Sequence, residues 1–150
     1  MNPITGNLEV PMALTANRYD ERFAAGWQLP FPVAAQTTIY KGALVCLDAN
    51  GYLVPAADTA GLRFVGVARD GADNSSGSDG DLEVVVVTQG SIVVSKSGAA
   101  AGDVGASAFC SDDETVALTT ENDVYAGLVV GVTDSGHVRL RFDAGDCAPA

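Results

Sequence analysis

Residues 80–95 read GDLEVVVVTQGSIVVS, with four consecutive valines after a polar, glycine-rich stretch and two more valines after a Thr-Gln-Gly turn. A strand with one solvent-exposed face alternates apolar and polar side chains. The valine run does not alternate, so both faces of its strand are predicted to meet apolar surroundings. The residues that follow the run bring no catalytic group to its end; they are Thr88, Gln89, Gly90 and Ser91. The stretch therefore predicts a structural strand of a β fold, with no catalytic role.

The rest of the chain after residue 37 carries the same kind of signal. Strands are predicted at 43–48, 52–54, 64–69, 82–88, 91–95, 107–111, 116–119, 127–133 and 137–142. The last of them alternates most clearly, with Val138 and Leu140 on one face and Arg139 and Arg141 on the other. A chain of 150 residues that is 47% apolar can form one domain with a sizeable core. The predicted fold class is mainly β, a small barrel or sandwich of short strands with an extended N-terminal arm.

An internal repeat supports this fold. Both copies contain a hairpin, a loop and a glycine- and valine-rich strand, and two such modules folded onto each other predict a closed or nearly closed barrel. The matched positions are 42–43 with 105–106, Cys46 with Cys110, Asp48 with Asp112 and Gly66 with Gly131, at separations of 63 to 65 residues.

Residues 1–36 differ from the body in composition. They hold four of the six prolines and the single tryptophan, and proline lacks the backbone donor that a sheet needs. A short helix over residues 17–26, capped by Asn17, is plausible within this segment. The predicted organisation is an arm over 1–36, a β domain over 37–143 and a tail over 144–150.

The arm is the strongest candidate for a contact surface. Large aromatic side chains each bury roughly 150–250 Å², so three of them cover most of a typical interface of about 800 Å² per partner. Two hypotheses stay open: the arm folds back on its own barrel, or it reaches a partner. The residues assigned to this contact are Tyr19, Phe23, Trp27, Pro30 and Phe31.

Charge and composition exclude several classes of function. The net charge is −11, and all of it lies after residue 41, which argues against nucleic-acid binding. No apolar run is long enough for a membrane helix, and the first ten residues do not resemble a secretory signal. Three cysteines without a Cys-x-x-Cys pair indicate reduced thiols and no zinc site; Cys46 and Cys110 are predicted to be core residues.

No stretch of the chain predicts an active site or a bound cofactor. His137 is the single histidine and has no evident orienting partner, so an exposed surface position is expected. Residues 134–136, Asp-Ser-Gly, are typical of a hairpin turn, and the Gly-rich segment 98–106 lacks the lysine of a phosphate-binding loop. The acids of segment 70–83 do not follow a calcium-loop spacing and are expected to be solvated. Within it, residues 71–81 are predicted to form a mobile polar loop. We therefore expect no catalytic residue, no metal and no cofactor.

The order of short motifs over residues 38–142 resembles the head-decoration, or capsid cement, proteins of tailed bacteriophages. The matching segments are a Gly-x-apolar-Val strand at 42–45, Gly-Val-Ala at 66–68, a Val-x-x-x-Gly strand at 86–90, an Ala-x-Gly-Asp-Val loop at 100–104, Gly-Val at 131–132 and Val-Arg-Leu at 138–140. The N-terminal 36 residues are longer and more aromatic than is usual for that family.

The resemblance implies a non-enzymatic β protein on the outside of a capsid, made in the host cytoplasm. It implies a homotrimer that bridges neighbouring subunits of the major capsid protein and so stabilises the shell. Two other readings stay open: another virion β-module, such as a head fibre base or a tail component, and a barrel that binds a small ligand or a carbohydrate.

Overall fold

A computed structural model describes residues 27–146. Its strands are β1 (Gln28–Pro32), β2 (Thr37–Ile39), β3 (Leu44–Leu47), β4 (Leu53–Pro55), β5 (Arg63–Ala68), β6 (Ala72–Asn74), β7 (Glu83–Val87), β8 (Gln89–Ser95), β9 (Ser107–Cys110), β10 (Val116–Ala117), β11 (Tyr125–Asp134) and β12 (His137–Asp143). Short 3-10 helices span Ala101–Asp103 and Ala144–Asp146. The mainly β fold is confirmed, and all nine predicted strands are present with small shifts of their ends. The predicted helix 17–26, most of the arm and Cys147 lie outside the described residues.

Two five-stranded sheets form the body. Sheet I has the strand order β1-β7-β5-β3-β4 and sheet II the order β10-β9-β11-β12-β8, while β2 and β6 form a separate pair. Strands β7 and β8 are separated in the chain by Thr88 alone, so the valine-rich stretch leaves sheet I and enters sheet II at that residue. The Thr88 N–H donates to Trp27 O at 2.8 Å, and the Ala144 N–H donates to Thr88 O at 2.8 Å. Thr88 is therefore hydrogen-bonded both to the residue that precedes β1 of sheet I and to the residue that follows β12 of sheet II.

Two apolar clusters lie on opposite faces of sheet I. Val84 and Val86 of β7 point into the cluster that the β2–β6 pair covers, whereas Val87 packs against the larger core shared with sheet II. In that shared core the rings of Phe64 and Phe142, from β5 and β12, meet edge to face with centroids 5.9 Å apart. The prediction that the valine run is apolar on both faces is confirmed.

The internal repeat is visible in the topology. Read as β4-β3-β5-β7-β1 and β10-β9-β11-β12-β8, the sheets place corresponding strands in the same order. Each sheet also curls until its two ends meet at one parallel bridge, Val33 with Leu53 in sheet I and Ser95 with Thr115 in sheet II. Each copy of the repeat is therefore a small, nearly closed curled sheet of its own.

The Gly-Ala pair of the repeat has the same role in both copies. Gly42 and Gly105 have φ angles of 86° and 94°, a region in which only glycine is free of steric cost. The Gly42 N–H donates to Ala68 O at 2.8 Å, and the Gly105 N–H donates to Val129 O at 2.7 Å. Ala68 and Val129 are therefore equivalent positions, and the predicted match of 42–43 with 105–106 is confirmed.

The predicted match of the cysteines is wrong by one residue. The Asp48 N–H donates to Tyr52 O and the Ser111 N–H donates to Thr115 O, each at 2.9 Å, which aligns the two hairpins at a separation of 63 residues. Cys46 then corresponds to Phe109, one position before Cys110. A slip of one residue moves a strand side chain to the opposite face of its sheet. Cys46 and Cys110 are both free and buried, as expected for core cysteines.

The predicted match of Gly66 with Gly131 is also wrong. The β3–β5 pairing skips Val65 and the β9–β11 pairing skips Ala126, so each copy contains a β-bulge just before a glycine. A Cβ atom on Gly66 would overlap Val87 O, and one on Gly127 would overlap Arg141 O. Gly66 therefore corresponds to Gly127: β7 approaches Gly66 as closely as β12 approaches Gly127.

Residues 28–32 of the predicted arm belong to the sheet, so the inference that their prolines keep this stretch out of a sheet is wrong. Strand β1 pairs antiparallel with β7 along its whole length. The Val33 N–H donates to Leu82 O at 2.9 Å, and because N–H direction alternates along a strand, Pro30 and Pro32 turn their missing donors toward the open edge. Proline is tolerated in β1 because the strand lies at the edge of sheet I.

Residues 71–81, predicted to be a polar loop throughout, include a strand. Ala72–Asn74 forms β6, and the Asn74 side chain is buried, where its Nδ2 donates to Ala34 O at 2.9 Å and Ser78 O at 3.0 Å. Asn74 thereby ties the segment to the chain that follows β1. No helix among residues 27–146 is long and apolar enough to cross a membrane.

We expect Gly66→Ala and Gly127→Ala each to lower the free energy of unfolding by about 1–3 kcal/mol, because the added Cβ overlaps a backbone carbonyl that cannot move alone. Gly131→Ala is the control, since its Cβ would lie 3.7 Å from Arg139 Cβ, an ordinary contact. Chemical denaturation measures the three values. An equal loss at Gly131 would contradict the overlap as the cause, and a large loss at only one of Gly66 and Gly127 would contradict their equivalence.

Candidate interaction surface

The single histidine lies at a hairpin turn. His137 Nδ1 is 2.8 Å from Asp134 Oδ1, and both side chains are about half exposed. This contact, followed by the Gly136 N–H bond to the same oxygen, lowers the pKa of Asp134. The exposed position agrees with the prediction, but the expectation that His137 has no orienting partner is wrong. The pair closes the β11–β12 turn, as expected for residues 134–136.

The acids of segment 70–83 bind backbone groups and hydroxyls of the protein. Asp79 accepts the Ala35 N–H at 2.7 Å, and Asp81 accepts the Ser78 N–H at 2.9 Å. The side-chain and backbone hydrogen bonds from Ser75, with that from Thr38, lower the pKa of Asp73. Within residues 27–146, no group of three or more His, Cys, Asp or Glu side chains is placed to hold a metal ion.

Asp58 connects corresponding loops of the two repeats. It lies between β4 and β5, and its carboxylate accepts the N–H groups of Glu121 at 3.1 Å and Asn122 at 2.9 Å, between β10 and β11. The Asn122 side chain donates back to Asp58 O at 2.9 Å. The backbone hydrogen bond from Glu121, with those from Asn122 and Thr120, lowers the pKa of Asp58. This link fastens the two modules together at their loop ends.

One face of sheet II turns away from the shared core, and we call it the outer face. Strand pairing places Ser107, Leu128, Arg141 and Ser91 in one row across β9, β11, β12 and β8. A second row brings Gly131, Arg139 and Val93 together. These rows combine apolar side chains with two positive charges on a chain of net charge −11.

Exposed valines are part of this outer face. Val93 is 40% exposed and Val130 is 44% exposed. Val130 is the extra residue of a β-bulge between Val129 and Gly131, and a bulge redirects the side chain that it carries. Arg139 is the strand partner of Val93, and its guanidinium donates to Ser91 Oγ at 3.3 Å. The face is thus a mixed surface of arginines, serines and exposed valines.

Trp27 stands at one end of the outer face. It is 49% exposed and forms a wall of an open groove of about 640 Å³. The groove lining consists of Trp27, Gln89, Gly90, Ser91, Val130, Arg141, Phe142 and Asp143. The indole and Val130 face the same groove, so sheet I and sheet II share this surface.

The structure separates the predicted contact residues. Trp27 is on the groove, Pro30 is exposed on β1, and Phe31 is half-buried against the smaller apolar cluster. Phe31 therefore serves the fold of sheet I. Tyr19 and Phe23 lie outside the described residues, so their assignment to a contact stays a prediction.

Sequence reasoning identified the outward-facing arginines but not the surface to which they belong. The alternation in HVRLRF predicted that Arg139 and Arg141 share one face, and β12 confirms it. Val130 carried no such signal, because a single valine in a valine-rich strand is expected to be buried. Its exposure follows from the pairing of β11 with β12, which puts Val129 in the core and Val130 on the opposite face.

Comparisons with known proteins give one structural neighbour. No protein-family model and no curated protein matches the chain. A solved structure that it resembles is the head fiber gp8.5 N base of bacteriophage phi29, with a TM-score of 0.46 and 18% identity over 78% of this chain and 95% of that chain.

We expect Asp58→Ala to lower the melting temperature at neutral pH, because two N–H groups lose their acceptor. The pKa of Asp58 is lowered below its ordinary value of 3.8, so its contribution to stability is complete above pH 3.8 and is lost as the pH falls through the folded-state value. Melting curves from neutral to acid pH should show the difference between wild type and variant narrowing below pH 3.8.

Asp70→Ala is the control for this comparison, because Asp70 is exposed in the loop after β5. Its melting temperature should follow wild type at every pH. A constant difference between wild type and Asp58→Ala into strong acid would contradict a role for the carboxylate.

Proposed function

We propose that the protein is a structural component of a phage virion that binds the outer surface of the capsid and bridges neighbouring major capsid subunits. It acts as a homotrimer and performs no bond-making chemistry. The motif order over residues 38–142 supports this proposal, because that order resembles capsid decoration proteins. The mainly β body is compatible with the fold that the resemblance implies.

The observation that carries the proposal is the pairing of the Trp27 groove with the outer face of sheet II. A surface that combines a half-exposed indole, exposed valines and arginines has the composition of a protein–protein contact, in which Trp and Arg contribute most of the binding energy. Arg139 and Arg141 also give a local positive charge to an acidic protein. Such a surface suits attachment to another protein more than it suits catalysis.

Electron cryomicroscopy of particles of the phage that carries the gene tests the placement. Density matching the two curled sheets on the outside of the shell, in contact with more than one major capsid subunit, is the expected result. Density at the root of a fibre would instead indicate a head fibre base, and density on the tail would indicate a tail component. Absence from the particle would overturn the virion role altogether.

Trp27→Ala should weaken attachment to capsids that lack the protein by roughly 30-fold, as expected for an interface tryptophan worth about 2 kcal/mol. The melting temperature of the isolated protein should change little, because the indole is 49% exposed. A capsid co-sedimentation assay measures the first quantity and calorimetry the second.

Tyr40→Ala is the matched control, because Tyr40 is 69% exposed and is not part of the groove. It should bind capsids as wild type does. If Trp27→Ala decorates capsids normally but loses much of its thermal stability, the indole belongs to the protein's own core and the proposed contact is wrong.

A further inference from the structure

We propose that attachment to the capsid includes strand addition: an extended segment of the major capsid protein pairs with the open edge of β8 and adds a sixth strand to sheet II. This inference rests on the proposed function, which supplies the capsid protein as the partner. The backbone groups that receive the segment belong to Gln89, Ser91 and Val93. Trp27 borders the same edge, because Gln89 and Ser91 line its groove.

The direction of the backbone groups along β8 shows which of them are open. The Lys96 N–H donates to Gly136 O at 2.9 Å, so Lys96 and every second residue before it turn their backbone groups toward β12. The backbone groups of Gln89, Ser91 and Val93 therefore point away from β12. Among residues 27–146, no strand pairs with these three residues on that side. A row of unpaired donors and acceptors is a template for a strand of another chain.

The other edges of the two sheets are less suited to a partner. Strand β1 contains Pro30 and Pro32, whose missing donors face its open side. Strands β4 and β10 are three and two residues long, and each sheet is closed there by a parallel bridge. The bridge of sheet II reaches β8 only at Ser95, its last residue. Strand β8 contains neither proline nor a charged residue, the residues with which proteins usually block an edge.

Two arginines determine which kind of segment suits this edge. Arg139 and Arg141 are the strand partners of Val93 and Ser91, and neither forms an ion pair with another described residue. An added strand continues the rows of side chains that these pairs form, and it lies about 10 Å from β12. A long arginine side chain and a carboxylate together span that gap. The segment is therefore extended and acidic on the side of the arginines.

A second copy of this chain does not supply such a segment from its described sheet edges. Those edges are β1, β4, β8 and β10, and none of the four strands contains an aspartate or a glutamate. A segment of the capsid protein is under no such limit. Charge complementarity with Arg139 and Arg141 therefore favours the capsid protein as the partner.

Hydrogen–deuterium exchange of the intact protein, free and bound to capsids that lack it, tests the proposal. In the free protein, the amides of Gln89, Ser91 and Val93 should exchange at least roughly tenfold faster than those of Ile92 and Val94, whose N–H groups face β12. On the capsid, exchange at the three open amides should slow by at least roughly tenfold, because each gains an acceptor.

Ser91→Pro tests the same edge by mutation. The change removes the Ser91 N–H and puts a ring on the open side, while the hydrogen bonds between β8 and β12 stay intact. Attachment in the capsid co-sedimentation assay should fall by at least about tenfold. Ser91→Ala is the matched control, because it keeps the N–H, and it should bind within about twofold of wild type. If Ser91→Pro does not fold, the exchange measurement on wild type decides.

The outcomes separate this inference from the proposed function. Wild type that binds capsids while its three open amides exchange as in the free protein overturns strand addition and leaves the proposed function intact. Wild type that does not bind capsids overturns both. Protection of these amides in the free protein also overturns strand addition by the capsid, because the edge is then already paired; protection that grows with protein concentration identifies a second copy as the occupant.

Discussion

The structure depends on one strand that serves two sheets. Strands β7 and β8 meet at Thr88, whose N–H and C=O bind Trp27 and Ala144. The chain passes between the sheets without a loop, and backbone hydrogen bonds at Thr88 hold sheets I and II together at that point. The shared core and the Asp58 link hold them together elsewhere. The valines before Thr88 fill the cores on both faces of sheet I, which a strand with one polar face cannot do. Both curled sheets are thereby built into one body.

The repeat explains why the two halves share geometry while differing in surface chemistry. Gly42 and Gly105, with Gly66 and Gly127, keep the backbone turns and close strand approaches that both halves need. Side chains that do not serve this geometry have diverged. The row that is apolar in sheet I carries an arginine and a serine in sheet II, so the same framework has a buried face in one half and an exposed one in the other.

Local patterns predicted most of the fold. Period-two alternation and turn residues located nine strands, and the duplicated Gly-Ala pair located the repeat. Features that depend on residues far away in the sequence, such as a strand's place in its sheet, could not be predicted. The prolines argued against β1, yet at the edge of the sheet their missing N–H groups cost no hydrogen bond. Asn74 is typical of a loop in the sequence, and its buried position depends on the carbonyl groups of Ala34 and Ser78 that accept its hydrogen bonds. Of the candidate surface, Trp27 was predicted, whereas Val130 was not, because the valine-rich strand gives no local signal of which valines face outward.

The orientation of Pro30 and Pro32 has a consequence for how this protein behaves at high density. Any strand that tries to lengthen sheet I beyond β1 meets two ring carbons where it needs hydrogen-bond donors. Lateral growth of that sheet into a ribbon of stacked copies is therefore blocked by covalent structure, which neither salt nor crowding can change.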